Sequence, residues 1–416
     1  MNLVQKLGTV RREFLERLNY FDRRSDFFFF QRFFEKIFAL HYTYDAGWRG
    51  RSLWYLYRAL YGLIYLTYVH KAYWVLMNWE DNLGSATIIF GVLWFFSAVI
   101  LRVTILEWHY PLLAQLRDFL NDHSYQWRDS WAYERRSQFY RRSNRITLAV
   151  MAINFAEILY FGATNVATLD GFMLQFRGRI VGRWPLQIAY GMATMCWGGT
   201  YCFGFLMCYL MMATFKIEIE ILLHSLEELG HNLQIQNEHR GDSGDDTLFW
   251  NGVVHKLKPH IRRLMDIFGN LQKLKGVINP IAFVQYYSTY LIIADSCLIL
   301  VTEELSSYSL MYVVSMIIFL TEAYLLCQGV EHLRNLKPRI AATLYGFDWM
   351  LQLRKTDERS DAEYRHTRRT FLLLTAHSGH MIHFSFAGIG EISMHSFWEL
   401  LEKSYSMLTF LLQFAK

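Results

Sequence analysis

Between Gly84 and Leu106 the chain carries one charged residue, Arg102, in a run otherwise made of apolar and small side chains. Inside a bilayer, the backbone N–H and C=O groups of such a run have no water to bond, so the run must be helical. About 20 residues at 1.5 Å rise cross a hydrocarbon core of about 30 Å. Six more blocks read the same way. The expected spans are Leu53–Met77, Gly84–Glu107, Ile146–Val166, Leu186–Ala213, Val277–Thr302, Ser306–Cys327 and Ser396–Phe414. Thr370–Ser393 is apolar only in patches and holds His377, His380 and His383, so it ranks below a span. The expected fold class is therefore all-α: a polytopic membrane protein with seven transmembrane helices. Charged residues make up 19% of the chain, against roughly 25% in a soluble domain, and 53% are hydrophobic. That balance excludes a disordered chain and a small disulfide scaffold.

Lys and Arg set the orientation. Of 42 such residues, 34 fall before span one or in the loops after spans two, four and six. The opposite side holds Arg177, Arg179, Arg183 and Lys416. The positive-inside rule then predicts a cytosolic N-terminus and an extracellular C-terminus. Met1–Asp26 is polar and charged, so no cleavable signal is expected and the first span serves as its own. Cys196, Cys202, Cys208, Cys297 and Cys327 all fall within spans and read as buried thiols. No Asn-x-Ser/Thr acceptor is present.

The organisation follows. Residues 1–52 form a cytosolic N-terminal segment, and 53–213 hold spans one to four. Residues 214–276 form a cytosolic helical hairpin, and 277–327 hold spans five and six. Residues 328–394 form a cytosolic helix and turn, and 395–416 the last span. In the hairpin, Phe215, Ile219, Leu222, Leu226, Leu229 and Leu233 repeat at spacings of four and three. A polar stretch, Gln234–Asp246, separates them from a second seam: Val254, Leu257, Ile261, Leu264, Phe268 and Leu271. Two readings stand open. The seams pack only on each other, or they also form an interface between subunits.

No catalytic motif occurs, no cofactor is implied, and no feature points to nucleic acid. His377, His380 and His383 spread over about 120° of a helix and have no local Cys or carboxylate to complete a metal site. Charges inside the spans carry more information, because each is costly unless paired or hydrated. Arg102 and Glu322 sit toward the cytosolic ends, where reaching out to water is the simpler account. Asp295 lies toward the outer end of its span. Glu157 is deepest, and either touches a ligand or pore or pairs with a polar neighbour such as Asn154. Aromatic residues crowd the outer halves of several spans, as an apolar cavity or plain helix packing would require.

The C-terminal third resembles the insect odorant receptors. The residues that carry the likeness are Cys327-Gln-Gly329, Tyr345 and Trp349, and the basic stretch Arg365–Arg369. The run Phe371–Leu374, Phe397, Lys403-Ser404-Tyr405-Ser406 and Leu408-Thr409-Phe410-Leu411 follow in order. The chain departs from the pattern at Ala376–His383. Met407 stands where the related gustatory pattern has Tyr.

The resemblance implies an odorant-gated cation channel subunit with a cytosolic N-terminus. Such a subunit sits in the plasma membrane of olfactory sensory neurons and needs no G protein. It also implies a heterotetramer with a common co-receptor, subunit contacts through the cytosolic helices, and an odorant pocket among the outer halves of spans two, three, four and six. On that footing the expected pocket residues are Phe90, Trp94, Phe155, Ile158, Tyr190, Trp197, Tyr201, Tyr312 and Met316, around a small apolar volatile. Phe410, Gln413 and Phe414 share one face of the last helix and are expected at the pore. The alternatives are a gustatory-type channel or a secondary transporter. Missing internal repeats weigh against the transporter.

Overall fold

Each expected span falls on one long helix. The computed structural model describes residues 14–38, 47–77, 83–164, 171–238, 246–302, 307–346, 361–379 and 382–414. Trp349, His380, residues 165–166, residues 239–245 and Ser306 lie outside the described residues, as do the side chains of His377, Leu233 and Phe414.

The elements run in the order α1 (Phe29–Ile37), α2 (Trp48–Met77), α3 (Leu83–Trp108), α4 (Tyr110–Leu120) and α5 (Ser130–Ala163). There follow β1 (Gln175–Phe176), β2 (Arg179–Ile180), α6 (Trp184–Glu238), α7 (Asp246–Thr302), α8 (Ser307–Tyr345), α9 (Asp361–Gly379) and α10 (Met394–Phe414). The seven expected spans correspond to α2, α3, α5, α6, α7, α8 and α10. Among the described residues, four stretches are long and apolar enough to cross a membrane: Ile88–Trp108, Ser130–Ala163, Gly252–Val301 and Ser309–Tyr345.

Local signals set the helix ends. Asp129 caps α5, accepting from the N–H groups of Trp131 at 3.0 Å and Ala132 at 3.3 Å. Pro111 opens α4, where its missing N–H costs nothing. With 55 residues in α6 and 57 in α7, each helix is on the order of 80 Å long, far more than a bilayer crossing needs. The two seams lie along the length of these helices in excess of a single crossing.

Both seams are interior to a single chain. Phe215, Ile219, Leu222, Leu226 and Leu229 are buried, as are Leu257, Leu264, Phe268 and Leu271. Val254 and Ile261 are half-buried. They share one core with Val330, Leu333 and Ile340 of α8. Leu226 and Leu264 are each 2% exposed. Their joint replacement by Asp is therefore expected to unfold the subunit rather than merely separate subunits. Two unpaired carboxylates in this core should cost more than about 4 kcal/mol together. Size-exclusion of detergent-solubilised protein reads this as loss of the folded monomer peak; a folded, monodisperse monomer would contradict it.

The N-terminal segment is more deeply packed than its charge suggests. Phe27, Phe28, Phe30, Phe34 and Phe38 are buried, and Phe38 stacks on Phe203 of α6 at 5.1 Å. A Cβ at Gly199 would stand 2.2 Å from the Phe38 ring, so α1 and α6 meet at a position only glycine fits. Glu35 and Arg117 form a buried ion pair at 2.6 Å beside it.

The all-helical expectation holds apart from a short hairpin between α5 and α6. Gln175 pairs with Ile180 and Phe176 with Arg179, leaving a two-residue turn at Arg177-Gly178. Both turn residues have positive φ, 52° and 73°, the geometry that suits the twist of a tight hairpin. Phe176 stacks on His70 of α2 at 4.6 Å.

Candidate functional site

A cavity of about 380 Å³ lies between α3, α5, α6, α7 and α8. Helix α3 supplies Gly91, Phe95 and Phe96 to its wall, and α5 supplies Ile153, Ala156, Glu157 and Tyr160. From α6 come Thr194, Gly198, Tyr201 and Cys202, and from α7 Ile292, Asp295 and Ser296. Tyr312, Ser315 and Phe319 close it from α8. The wall is largely hydrocarbon, as a pocket for a small apolar body requires. Phe172, from the segment before the hairpin, covers one end and meets Phe161 edge-on at 5.2 Å. Gly171 holds that segment against α3, since a Cβ there would stand 2.5 Å from Ile88. Its carbonyl accepts a 3.1 Å hydrogen bond from Lys71.

Of the nine expected pocket residues, Tyr201 and Tyr312 stand at this wall. The others are placed elsewhere. Trp94 is 42% and Phe155 50% exposed on the outer surface of the bundle. Phe90 and Ile158 are half-buried and off the wall. Tyr190 shares a hydrogen bond with Thr67 and stacks on Tyr68, packing α6 on α2. Trp197 lies over Phe96 at 4.1 Å and Tyr61 at 4.8 Å, in the same seam. Met316 turns to Cys297, with the sulfurs 3.8 Å apart. The helices are the expected ones with α7 added, but on α3 and α5 the cavity face is rotated by about one residue, roughly 100°, from the expected residues.

Asn154 does not partner Glu157. Its amide donates to the Val150 carbonyl of its own helix at 2.8 Å, and Glu157 faces the cavity.

Arg102 and Glu322 correct the expectation that they reach out to water. Arg102 is fully buried. Its guanidinium donates to the Tyr201 carbonyl at 2.8 Å, to Gln285, and to Glu322 at 3.4 Å. It also lies 3.5 Å from the centre of the Tyr201 ring. A cation and an anion from distant helices satisfy each other here, so neither needs solvent. The Tyr201 hydroxyl bonds Ser288 at 3.0 Å and Gln285 at 3.1 Å on α7. The ring that faces the cavity is thus tied directly to the charged network beside it.

Helix α7 in turn carries α10. Ser404 donates to the Tyr290 carbonyl at 3.4 Å, and Lys403 approaches the Tyr286 hydroxyl at 3.4 Å. On α10, Phe410 is 50% exposed and Gln413 is exposed in the single subunit. His383 lies 3.5 Å from Glu391 at the surface. The elements before α10 are held by Asn279 of α7, whose side chain accepts from the Ser385 N–H at 3.1 Å. Tyr345, expected at a subunit contact, is 63% exposed at the end of α8.

A family model described as "7tm Odorant receptor" matches residues 80–405. Among solved structures, the olfactory receptor OR5 of the insect Machilis hrabei in complex with eugenol superposes with a TM-score of 0.65 at 11% identity, covering 93% of this chain and 99% of that one. A second structure of that receptor gives 0.62 at 12% identity, with the same coverage. At such identities the likeness is one of fold. No curated protein sequence matches this chain.

Proposed function

The chain belongs to the seven-transmembrane odorant receptor family, and on that premise we propose that it is an odorant-gated, nonselective cation channel subunit. The observation that carries this reading is the largely apolar cavity between α3, α5, α6, α7 and α8. The Machilis hrabei receptor of the same fold was solved with eugenol, a small volatile. A ligand of that kind would be held here by dispersion and by contact with Tyr160, Tyr201, Tyr312 and Phe319. Few heavy atoms limit its affinity to about micromolar or weaker.

The reading places the subunit in the plasma membrane of olfactory neurons, N-terminus inside, assembled with a common co-receptor. A ligand that moves the Tyr201 ring shifts its hydroxyl against Ser288 and Gln285, and α7 passes that shift to α10 through Tyr286 and Tyr290. The exposed face of α10 with Phe410, Gln413 and Phe414 then borders the conduction path, where apolar rings beside a polar one gate by dewetting. The two expected aromatics off the cavity that pack α6 on α2, Tyr190 and Trp197, serve as its frame rather than its lining.

Gly91 gives this reading a sharp handle. A Cβ there would stand 2.2 Å from the Asp295 carboxylate, so Gly91→Ala must push that side chain aside. The moving group is the end of a flexible side chain, so the fold should survive with a cost of about 1 kcal/mol. Potency of cavity ligands is expected to fall about tenfold, the loss that 1.4 kcal/mol produces. An unchanged dose–response in normally expressed Gly91→Ala would place the ligand elsewhere.

Recording from cells that express the chain with and without a co-receptor tests the function itself. Volatile-evoked, poorly selective cation current only with the partner is expected. Concentrative uptake without channel current would overturn the reading in favour of a transporter.

A further inference from the structure

The cavity wall is apolar except where α5 and α7 each present a carboxylate, Glu157 and Asp295. Among the described residues neither one has a hydrogen-bond or ion-pair partner. The cations in the neighbouring spans are engaged elsewhere. Arg102 is held by Glu322 and Gln285, and Arg58 by Glu107. Lys71 donates to the Gly171 carbonyl and sits 4.2 Å from the centre of the Tyr68 ring. A third polar group points the same way: Ser296, next to Asp295, is fully buried at the wall and its hydroxyl has no partner. Carboxylates at membrane depth cost several kcal/mol unless something meets them, and a hydrocarbon ligand would leave that cost in place.

We propose that the ligand is a small volatile amine, bound as its ammonium, with its N–H groups donating to Glu157 and Asp295. The proposal rests on the reading that this cavity is the ligand site, and names the ligand class. A primary alkylamine titrates near the lysine value of about 10.4, so it is protonated at pH 7 while a small free-base fraction keeps it volatile. Its charge supplies what the wall lacks. The aromatic side chains of Phe95, Tyr160 and Tyr312 stand at the same wall and add contact area for the alkyl chain. An alcohol of the same length brings one donor and no charge, so it leaves the carboxylates uncompensated.

The test uses the full-length chain in nanodiscs of neutral lipid, with tritiated hexylamine as probe and empty nanodiscs subtracted. Unlabelled hexylamine is expected to compete at concentrations about tenfold or more below those of hexan-1-ol, a 1.4 kcal/mol preference. Glu157→Gln and Asp295→Asn should each weaken hexylamine about tenfold and leave hexan-1-ol within about twofold. Hexan-1-ol competing as well as hexylamine on the wild-type protein would overturn the proposal, whatever the variants do. So would unchanged hexylamine affinity in both variants. Selective hexylamine binding without evoked current would uphold the ligand class and remove the channel reading. Current evoked by neutral volatiles, with no preference for hexylamine, would do the reverse.

Discussion

Replacing Glu218 by Gln is expected to destabilise the packing of α6 against α5 and α7 by about 3–5 kcal/mol, the usual consequence of removing one partner from a buried charge cluster. Glu218 on the α6 extension is fully buried. It accepts from Arg136 at 2.7 and 2.9 Å and from Arg263 at 2.7 Å. The variant keeps the shape but leaves two buried guanidinium groups without a counter-charge. A thermal midpoint lower by about 5–10 °C should follow. Burial alone would raise the Glu218 carboxyl; the hydrogen bonds and charges of Arg136 and Arg263 outweigh it and hold the group below the usual carboxylate range. Because the folded value is depressed, its stabilisation is present above the unfolded value of about 4.5 and fades as pH falls below it. Wild-type protein should therefore lose stability in that acid window, while Glu218→Gln, already weakened, should lose less. Parallel pH profiles for the two proteins would contradict the assignment.

Arg102→Met should have an effect of similar size inside the membrane. It strips Glu322, Gln285 and the Tyr201 carbonyl of a shared donor, leaving a buried carboxylate unmatched. A cost of about 3–5 kcal/mol is expected, read as loss of folded receptor at the cell surface. The double replacement Arg102→Met with Glu322→Leu removes both charges and should recover most of that loss, because apolar groups of similar volume can replace a buried pair. Recovery of surface expression without recovery of evoked current is the expected outcome, since both variants lose the Arg102 guanidinium that links the Tyr201 carbonyl to Gln285 of α7. If the double variant expresses no better than the single one, the two side chains do not act as a pair.

The helices were legible and their faces were not, for one physical reason. A soluble helix betrays its buried face by a polar one opposite. Helix α3 is apolar on every side, so Phe90 and Trp94 look as suitable as Gly91 and Phe95, which in fact line the cavity. Size misled as well: the large rings Tyr190 and Trp197 went to helix packing, while Gly91 and Gly198 opened the space. Charge is the better signal, since Glu157 and Asp295 stand out as charges inside spans, Glu157 the deepest and Asp295 toward the outer end, and both face the cavity. The pairing of Arg102 with Glu322 joins residues 220 apart in sequence, beyond anything spacing can disclose. The seams of α6 and α7 were legible as helix contacts because heptad spacing survives in any environment. Only burial could show that a single chain already covers them. Phe30 and Phe34 of α1 enter the core from a charged segment too short and too polar to read as a span.

The most direct test of the cavity as the gating site is to fill it. Ser315 on α8 lies at its wall, and Ser315→Trp would occupy the space with a bulky ring while leaving Tyr201, Gln285 and Arg102 in place. Recorded with a co-receptor at matched surface expression, this variant should lose volatile-evoked current or require at least about tenfold more ligand. An unchanged dose–response would show that the ligand does not gate the channel from this cavity.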